Sequence, residues 1–194
     1  MLIISLLSVF TITNAQNDED TFFGTDSVQK NELKMTQKIT DTVVNTIYRL
    51  FIDGDEKHLS NYGIKNRSQL ASLQLGKPIP WYRIDNENLK FIGIWYVPVM
   101  SDGESLLLAR VRLADDGEYI FLGAGAAKMA ERIHNYEYKD LIIGFLDSKL
   151  HQGNSYFYIR KENEDIFVQV YDYSTREYFK YEYSLSELIN LLKK

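Results

Sequence analysis

The three histidines are the first residues to consider for chemistry, because an imidazole titrates near neutral pH and can bind metals. They are His58, His134 and His151. None has a second histidine or a cysteine at metal-ligand spacing, and no serine lies in a recognised nucleophile motif with matching partners. A lone histidine makes no site, so we interpret all three as surface residues and predict no catalytic residue.

A glycine-rich segment, Gly123–Lys128, lies between a predicted strand and a predicted helix, where phosphate-binding turns occur. It lacks the Gly-Lys-Ser/Thr ending of a P-loop and the third glycine of the dinucleotide fingerprint. We interpret its small residues as a way for the helix to start close to the sheet. The sequence therefore predicts no cofactor.

Acidic turns recur along the chain, and a bent loop with several oxygens can bind calcium. They lie at 53–56, 102–104 and 115–118. None follows the calcium-loop order of alternating aspartates with a glutamate at position twelve, and turn chemistry alone explains Asp-Gly pairs. We predict no metal site and keep Asp53 and Asp55 only as weak calcium candidates.

Aromatic residues make up 13% of the chain, and fourteen of them are tyrosines. Neighbouring residues of a strand face opposite ways, so a tyrosine-rich strand sends some rings outward. Exposed rings can stack on sugars or hold a peptide, whereas buried rings form cross-strand ladders that only stabilise a sheet. Both interpretations stay open. The candidate ligand-binding residues are Trp81, Trp95, Tyr171, Tyr173 and Tyr178.

The composition of the 194-residue chain is that of a globular protein, with 45% hydrophobic and 25% charged residues. Its net charge is −5, and the basic residues form no evident basic face, which argues against nucleic acid as a partner. Since the chain has no cysteine, disulfides, thiol catalysis and zinc–thiolate sites are excluded.

The first fifteen residues carry no charged side chain, and a polar acidic stretch, Gln16–Asp20, follows. This pattern predicts a secretory signal peptide at 1–15, a flexible tail at 16–25 and one domain at 26–194. The missing basic residue before the apolar run is atypical, and a buried first strand is the alternative. We expect an exported protein, periplasmic or extracellular, with no membrane span.

The elements that must position these residues follow from hydrophobic periodicity. Asp26 is a predicted N-cap, and an amphipathic helix places Ile39, Val43 and Ile47 on one arc and ends at Asp53-Gly54. The alternative is a strand at Thr42–Ile52.

A middle helix follows Gly123–Ala127, and Ser184 with Glu187 forms a capping box for a C-terminal helix. We predict strands at 81–84, 92–99, 105–113, 118–122, 141–146, 155–160, 166–173 and 177–183.

These elements predict an α+β fold of antiparallel β-meanders, each followed by a helix. Residues 96–134 align without a gap on 155–193, strand for strand and helix for helix. This alignment suggests a βββα duplication, although any meander repeats its elements. Along strand 166–173 the alternation puts Val168 and Val170 on one face, and Phe167, Tyr171 and Tyr173 on the other.

Because no catalytic constellation stands out, we expect an exported, soluble, non-enzymatic binding protein with a protein or peptide ligand. The first alternative is a carbohydrate-binding accessory protein that uses exposed aromatic residues. The second is a hydrolase with an acidic site.

Overall fold

A computed structural model describes residues 33–85, 88–137, 141–148, 155–161, 164–172 and 175–192. The predicted signal peptide at 1–15, the predicted tail at 16–25 and the predicted N-cap Asp26 lie outside the described residues. His151 and the candidate binding residue Tyr173 lie outside them as well.

The described part of the chain contains four α-helices and one 3-10 helix. They are α1 (Gln37–Phe51), α2 (Glu56–Asn61), the 3-10 helix (Arg67–Ser72), α3 (Ala127–Glu137) and α4 (Leu185–Leu192). The hydroxyl of Thr36 caps α1 by accepting a hydrogen bond from the Ile39 N–H. Within these residues, no helix is both long and apolar enough to cross a membrane.

The strands are β1 (Gln74–Leu75), β2 (Ile79–Asp85), β3 (Asn88–Ser101), β4 (Glu104–Leu113), β5 (Tyr119–Gly125), β6 (Leu141–Ser148), β7 (Ser155–Lys161), β8 (Glu164–Gln169), β9 (Tyr171–Asp172), β10 (Glu177–Tyr178) and β11 (Glu182–Ser184). Among the described residues, nine strands form one curled half-barrel sheet in the order β11-β8-β7-β6-β2-β3-β4-β5, and β1 pairs with β3. The predicted α+β class with antiparallel strands is confirmed.

Two antiparallel meanders make up this sheet, and they meet at its centre through one parallel pair. The first meander is β2-β3-β4-β5, and the second is β6-β7-β8-β11. Strand β2 runs parallel to β6, with Trp81 opposite Phe145. The first meander turns from β3 to β4 at Asp102 and Gly103, which both have the positive φ of a tight hairpin turn. Each meander is followed by a helix, α3 or α4.

The last two predicted strands are each broken, contrary to the sequence prediction. β8 ends at Gln169, and the chain then leaves the main sheet to form the separate β9–β10 pair. The break occurs because Phe179 takes a positive φ of 55° and donates its N–H to the carbonyl oxygen of Val170 at 3.2 Å. β11 then returns to the edge of β8.

Helices cover both faces of the sheet, and we name the faces by their helices. On the α1 face, α1 packs its buried residues Ile39, Val43 and Ile47 against β3 and β4. α4 lies on the same face of the second meander, where Leu188 packs in a cluster with Tyr158. Phe91 packs against both groups.

On the opposite face, the α3 face, the buried side of α3 lies over the junction of the two meanders. Met129, Ala130 and Ile133 of α3 pack with Leu108 of the first meander and Phe157 of the second. Burial of this apolar surface ties the two meanders together. None of the described helices covers the rest of the first meander on this face, and the candidate site lies there.

Candidate functional site

The two candidate tryptophans lie on opposite faces of the sheet. Trp95 is only 4% exposed, because α1 covers its side of β3, and its ring packs against Phe91 and Tyr119. Trp95 is therefore a core residue. Trp81 is half-buried on the α3 face, where its ring stacks on Tyr96 with 5.2 Å between centroids. One side of the Trp81 ring is thus already occupied.

Two candidate tyrosines come together in the β9–β10 pair. Tyr171 and Tyr178 lie opposite each other, and their ring centroids are 4.7 Å apart. Tyr178 is 44% exposed, and the Nζ of Lys128 on α3 lies 5.0 Å from its ring centroid. Tyr171 packs in the same α3-face cluster as Val170, whereas the predicted alternation put it on the opposite face with Phe167, because the chain leaves the main sheet after Gln169. Tyr173 lies outside the described residues.

The weak calcium candidates belong to a helix cap. Asp55 is the N-cap of α2, and its carboxylate accepts a hydrogen bond from the His58 N–H at 2.7 Å. Asp53 is exposed in the turn before it. No group of three or more histidine or acidic side chains within the described residues could hold a metal ion.

Two arginines stand side by side on the part of the α3 face that no described helix covers. Arg110 and Arg112 are alternate residues of β4, so their side chains share one face of the sheet, and both are exposed. Neither makes a hydrogen bond or an ion pair with another described residue. In contrast, Lys38 pairs with Glu118 at 2.6 Å on the other side of the sheet.

Apolar side chains frame the two arginines. Arg112 lies between Ile94 of β3 and Ile120 of β5 in the same row across the sheet. Arg110 lies opposite Tyr96 on one side and Gly123 on the other. We call the surface formed by Ile94, Tyr96, Arg110, Arg112, Ile120 and Leu122 the open face. Ile120 is 39% exposed and Leu122 is 37% exposed.

Gly123 positions the guanidinium group of Arg110. A Cβ atom on Gly123 would lie 3.2 Å from the Nη2 of Arg110 and would crowd it. Because glycine stands there, the arginine side chain can lie across β5 toward the edge of the sheet. The main sheet ends at β5, whose outer backbone groups pair with no other described strand.

The open face places two exposed basic residues on one side of β4. The alternation of arginine with apolar residues in the segment Ala109–Leu113 is the signal that the sequence contained. It puts two like charges on one side of a strand. The net charge of the chain alone cannot reveal such a local arrangement.

A separate cavity of about 470 Å³ lies where the Ser60–Lys65 loop, the start of β4 and the start of α3 meet. The name Ser60–Lys65 loop here covers the last two residues of α2 and the turn that follows them. Its charged walls include Lys65 and Glu104, which form an ion pair at 2.6 Å. Its other lining residues are Leu106, Ser105, Ala127, Lys128, Glu131 and His134. The sequence interpretation of His134 as a surface residue missed this cavity, because the loop that closes it is remote in the chain.

Ser105 and His134 both line this cavity, but they do not form a catalytic pair. The Ser105 side chain is 8% exposed, and its Oγ has no hydrogen-bond partner among the described residues. An activated serine nucleophile needs a base within hydrogen-bond distance. Within the described residues, the Ser105 Oγ therefore has no base within hydrogen-bond distance.

A smaller cavity of about 230 Å³ lies on the α1 face between α1 and β5. Its walls are mostly apolar and include Ile39, Val43 and Phe121. The Lys38–Glu118 ion pair spans from one wall to the other. This ion pair connects α1 to the start of β5 on the α1 face. The side chains on the other side of β5 belong to the open face.

Comparison with known proteins identifies no relative. No protein-family model matches the chain, and no curated protein and no solved structure is detectably similar to it.

Proposed function

We propose that this chain is an exported, non-enzymatic binding protein that holds an extended, acidic segment of a protein or peptide on the open face. The observation that carries the proposal is the pair of exposed arginines, Arg110 and Arg112, without an anionic partner among the described residues. An acidic segment would supply the missing carboxylates. Arginine suits this role because its planar guanidinium group binds carboxylates through two parallel hydrogen bonds.

The surroundings of the arginines favour an extended chain over a small anion. Ile120 and Leu122 are alternate residues of β5, and both are exposed beside the arginines. A strand that pairs with the outer edge of β5 would place alternate side chains over this same face. Backbone hydrogen bonds would then supply affinity, and the arginines would select acidic side chains.

The test uses a short, fluorescein-labelled peptide of alternating glutamate and valine, with fluorescence anisotropy as the readout. We expect the wild-type chain to bind this peptide and the double variant Arg110→Glu/Arg112→Glu to bind it at least about tenfold more weakly, which corresponds to about 1.4 kcal/mol. Added salt should weaken wild-type binding, since exposed charges are screened.

The matched control reverses two exposed lysines elsewhere, Lys34→Glu/Lys57→Glu, and so changes the net charge by the same amount. Binding of this control should equal that of the wild type. If both double variants lose binding equally, only the net charge matters and the open face is not the site. If the wild type does not bind the peptide, the proposed ligand is wrong.

The aromatic residues support a glycan ligand less well than a peptide. A sugar-binding platform needs free ring faces. Trp95 is in the core, and the ring of Trp81 is stacked on Tyr96. Only Tyr178 among the described candidates is well exposed, and Lys128 lies over its ring.

We also infer that the two meanders descend from one βββα unit. The support is the shared order of elements: β3, β4, β5 and α3 in the first half correspond to β7, β8, β11 and α4 in the second. In both halves the three strands are neighbours in the sheet. The β9–β10 pair is then an elaboration of the second unit.

A further inference from the structure

The cavity between the Ser60–Lys65 loop and α3 is lined by the start of α3, by a buried hydroxyl without a hydrogen-bond partner among the described residues, and by a carboxylate that pairs with no described cation. We propose that it binds a small zwitterion of the amino-acid type, a molecule that carries a carboxylate and an ammonium group a few bonds apart. This site is separate from the open face and does not depend on the peptide-binding proposal.

The carboxylate would lie at the start of α3. The first N–H groups of a helix have no acceptor within the helix, and they attract negative charge. Ala126, the residue before α3, has no side-chain oxygen to cap them. Ala127 and Lys128 of this first turn line the cavity.

Ser105 is the independent sign of a ligand at this end. Its hydroxyl is buried, it lines the same cavity, and it has no hydrogen-bond partner among the described residues. Buried hydroxyls are nearly always paired, so an unpaired one that lines a cavity indicates a missing partner. A carboxylate held by the first turn of α3 could accept this O–H.

The ammonium group would pair with Glu131, one turn further along α3. Glu131 lines the cavity and makes no ion pair with any described residue. The second acidic residue of the wall, Glu104, is already paired with Lys65. A ligand with only a carboxylate would leave Glu131 unpaired, and a ligand with only an amine would leave the N–H groups at the start of α3 without an acceptor.

The size of the cavity is consistent with such a ligand. Its volume of about 470 Å³ lies within the usual range of small-molecule sites. Gly63 shapes the wall, because the loop there passes so close to β4 that a Cβ would lie 2.5 Å from the carbonyl oxygen of Leu106. The cavity wall at Gly63 is therefore formed by two backbone segments that pack closely against each other.

The experiment measures the melting temperature of the full chain with each of the twenty common amino acids, at constant pH and ionic strength. A ligand that binds only the folded state raises the melting temperature. We expect at least one amino acid to do so, and acetate or methylammonium at the same concentration to have no comparable effect. If no amino acid raises the melting temperature, the proposal is wrong.

Two variants locate the site, and each is measured with the amino acid that stabilises the wild type most. Ser105→Ala and Glu131→Gln should each weaken its binding at least tenfold by calorimetry. Ser68→Ala and Glu56→Gln, the same changes at exposed positions outside the cavity, should bind as the wild type does. Undiminished binding by both cavity variants would place the ligand elsewhere and overturn the assignment. Arg110→Glu/Arg112→Glu should retain amino-acid binding, so that failure here and failure at the open face are distinguishable.

Discussion

Gly63 allows the Ser60–Lys65 loop to touch the start of β4. Its φ is +77°, and a Cβ there would lie 2.5 Å from the Leu106 carbonyl oxygen and 3.0 Å from the Cβ of Ala127. Gly63→Ala must therefore accept a left-handed backbone and also push two backbone segments apart. We expect a loss of about 3 kcal/mol in the free energy of unfolding, measured by urea titration.

Gly103→Ala is the control for this change. Gly103 has nearly the same φ, +80°, but no atom lies within 4 Å of its would-be Cβ. Only the backbone cost remains, and we expect a loss of about 1 kcal/mol. Equal losses in the two variants would mean that the close approach at Gly63 contributes nothing to stability.

At the scale of elements, α4 is held at its start by a reciprocal cap. The Ser184 N–H donates to the Glu187 carboxylate at 2.7 Å, and the Ser184 Oγ accepts from the Glu187 N–H at 3.3 Å. The backbone N–H and then the hydroxyl of Ser184 lower the pKa of Glu187 below its ordinary value of 4.5. A lowered pKa stabilises the fold above pH 4.5, and that stability is lost as the pH falls through the folded-state pKa.

We therefore expect Glu187→Gln to be less stable than the wild type at pH 7, with a difference that shrinks when both are unfolded in urea near pH 3. Ser184→Ala keeps the backbone N–H and should retain part of this pH dependence. A Glu187→Gln variant whose stability follows the wild-type pH profile would show that the cap carries no charge-dependent stability.

The cap was predictable because its partners are only three residues apart. The break of strand 166–173 was not, since it depends on a positive φ at Phe179 and a hydrogen bond back to Val170. The parallel pairing of β2 with β6 is likewise invisible in local patterns. For the candidate site, residue type was enough to select the aromatic candidates. The burial of Trp95 under α1 could not be predicted, because it depends on the tertiary structure. The alternate spacing of Arg110 and Arg112 can be seen in the sequence. That both side chains are exposed follows only from the positions of the helices.

At the scale of the whole molecule, the α3-face cluster contains residues of both meanders, so we expect the two meanders to unfold as one cooperative unit. Phe157 is fully buried there beside Leu108 of the first meander. Phe157→Ala should lower the free energy of unfolding by about 3–5 kcal/mol. Both tryptophans, Trp81 and Trp95, lie in the first meander, so their fluorescence reports a half of the sheet that does not contain the substitution.

We expect fluorescence and far-ultraviolet circular dichroism to shift to the same lower midpoint, because a two-state protein loses all its structure together. The exposed change Tyr181→Ala should leave both signals near their wild-type midpoints. A fluorescence midpoint that does not move in Phe157→Ala would mean that the meanders unfold as separate units.

The parallel β2–β6 pair also sets an order of events during synthesis. The strands of the first meander leave the ribosome before β6 exists, and they can pair locally in antiparallel hairpins. Until β6 is made, the backbone groups on one side of β2 have no partner, and a nascent chain exposes an edge that becomes the centre of the finished sheet. Two nascent chains could join at this edge, so the interval before β6 appears is when a chaperone would matter most.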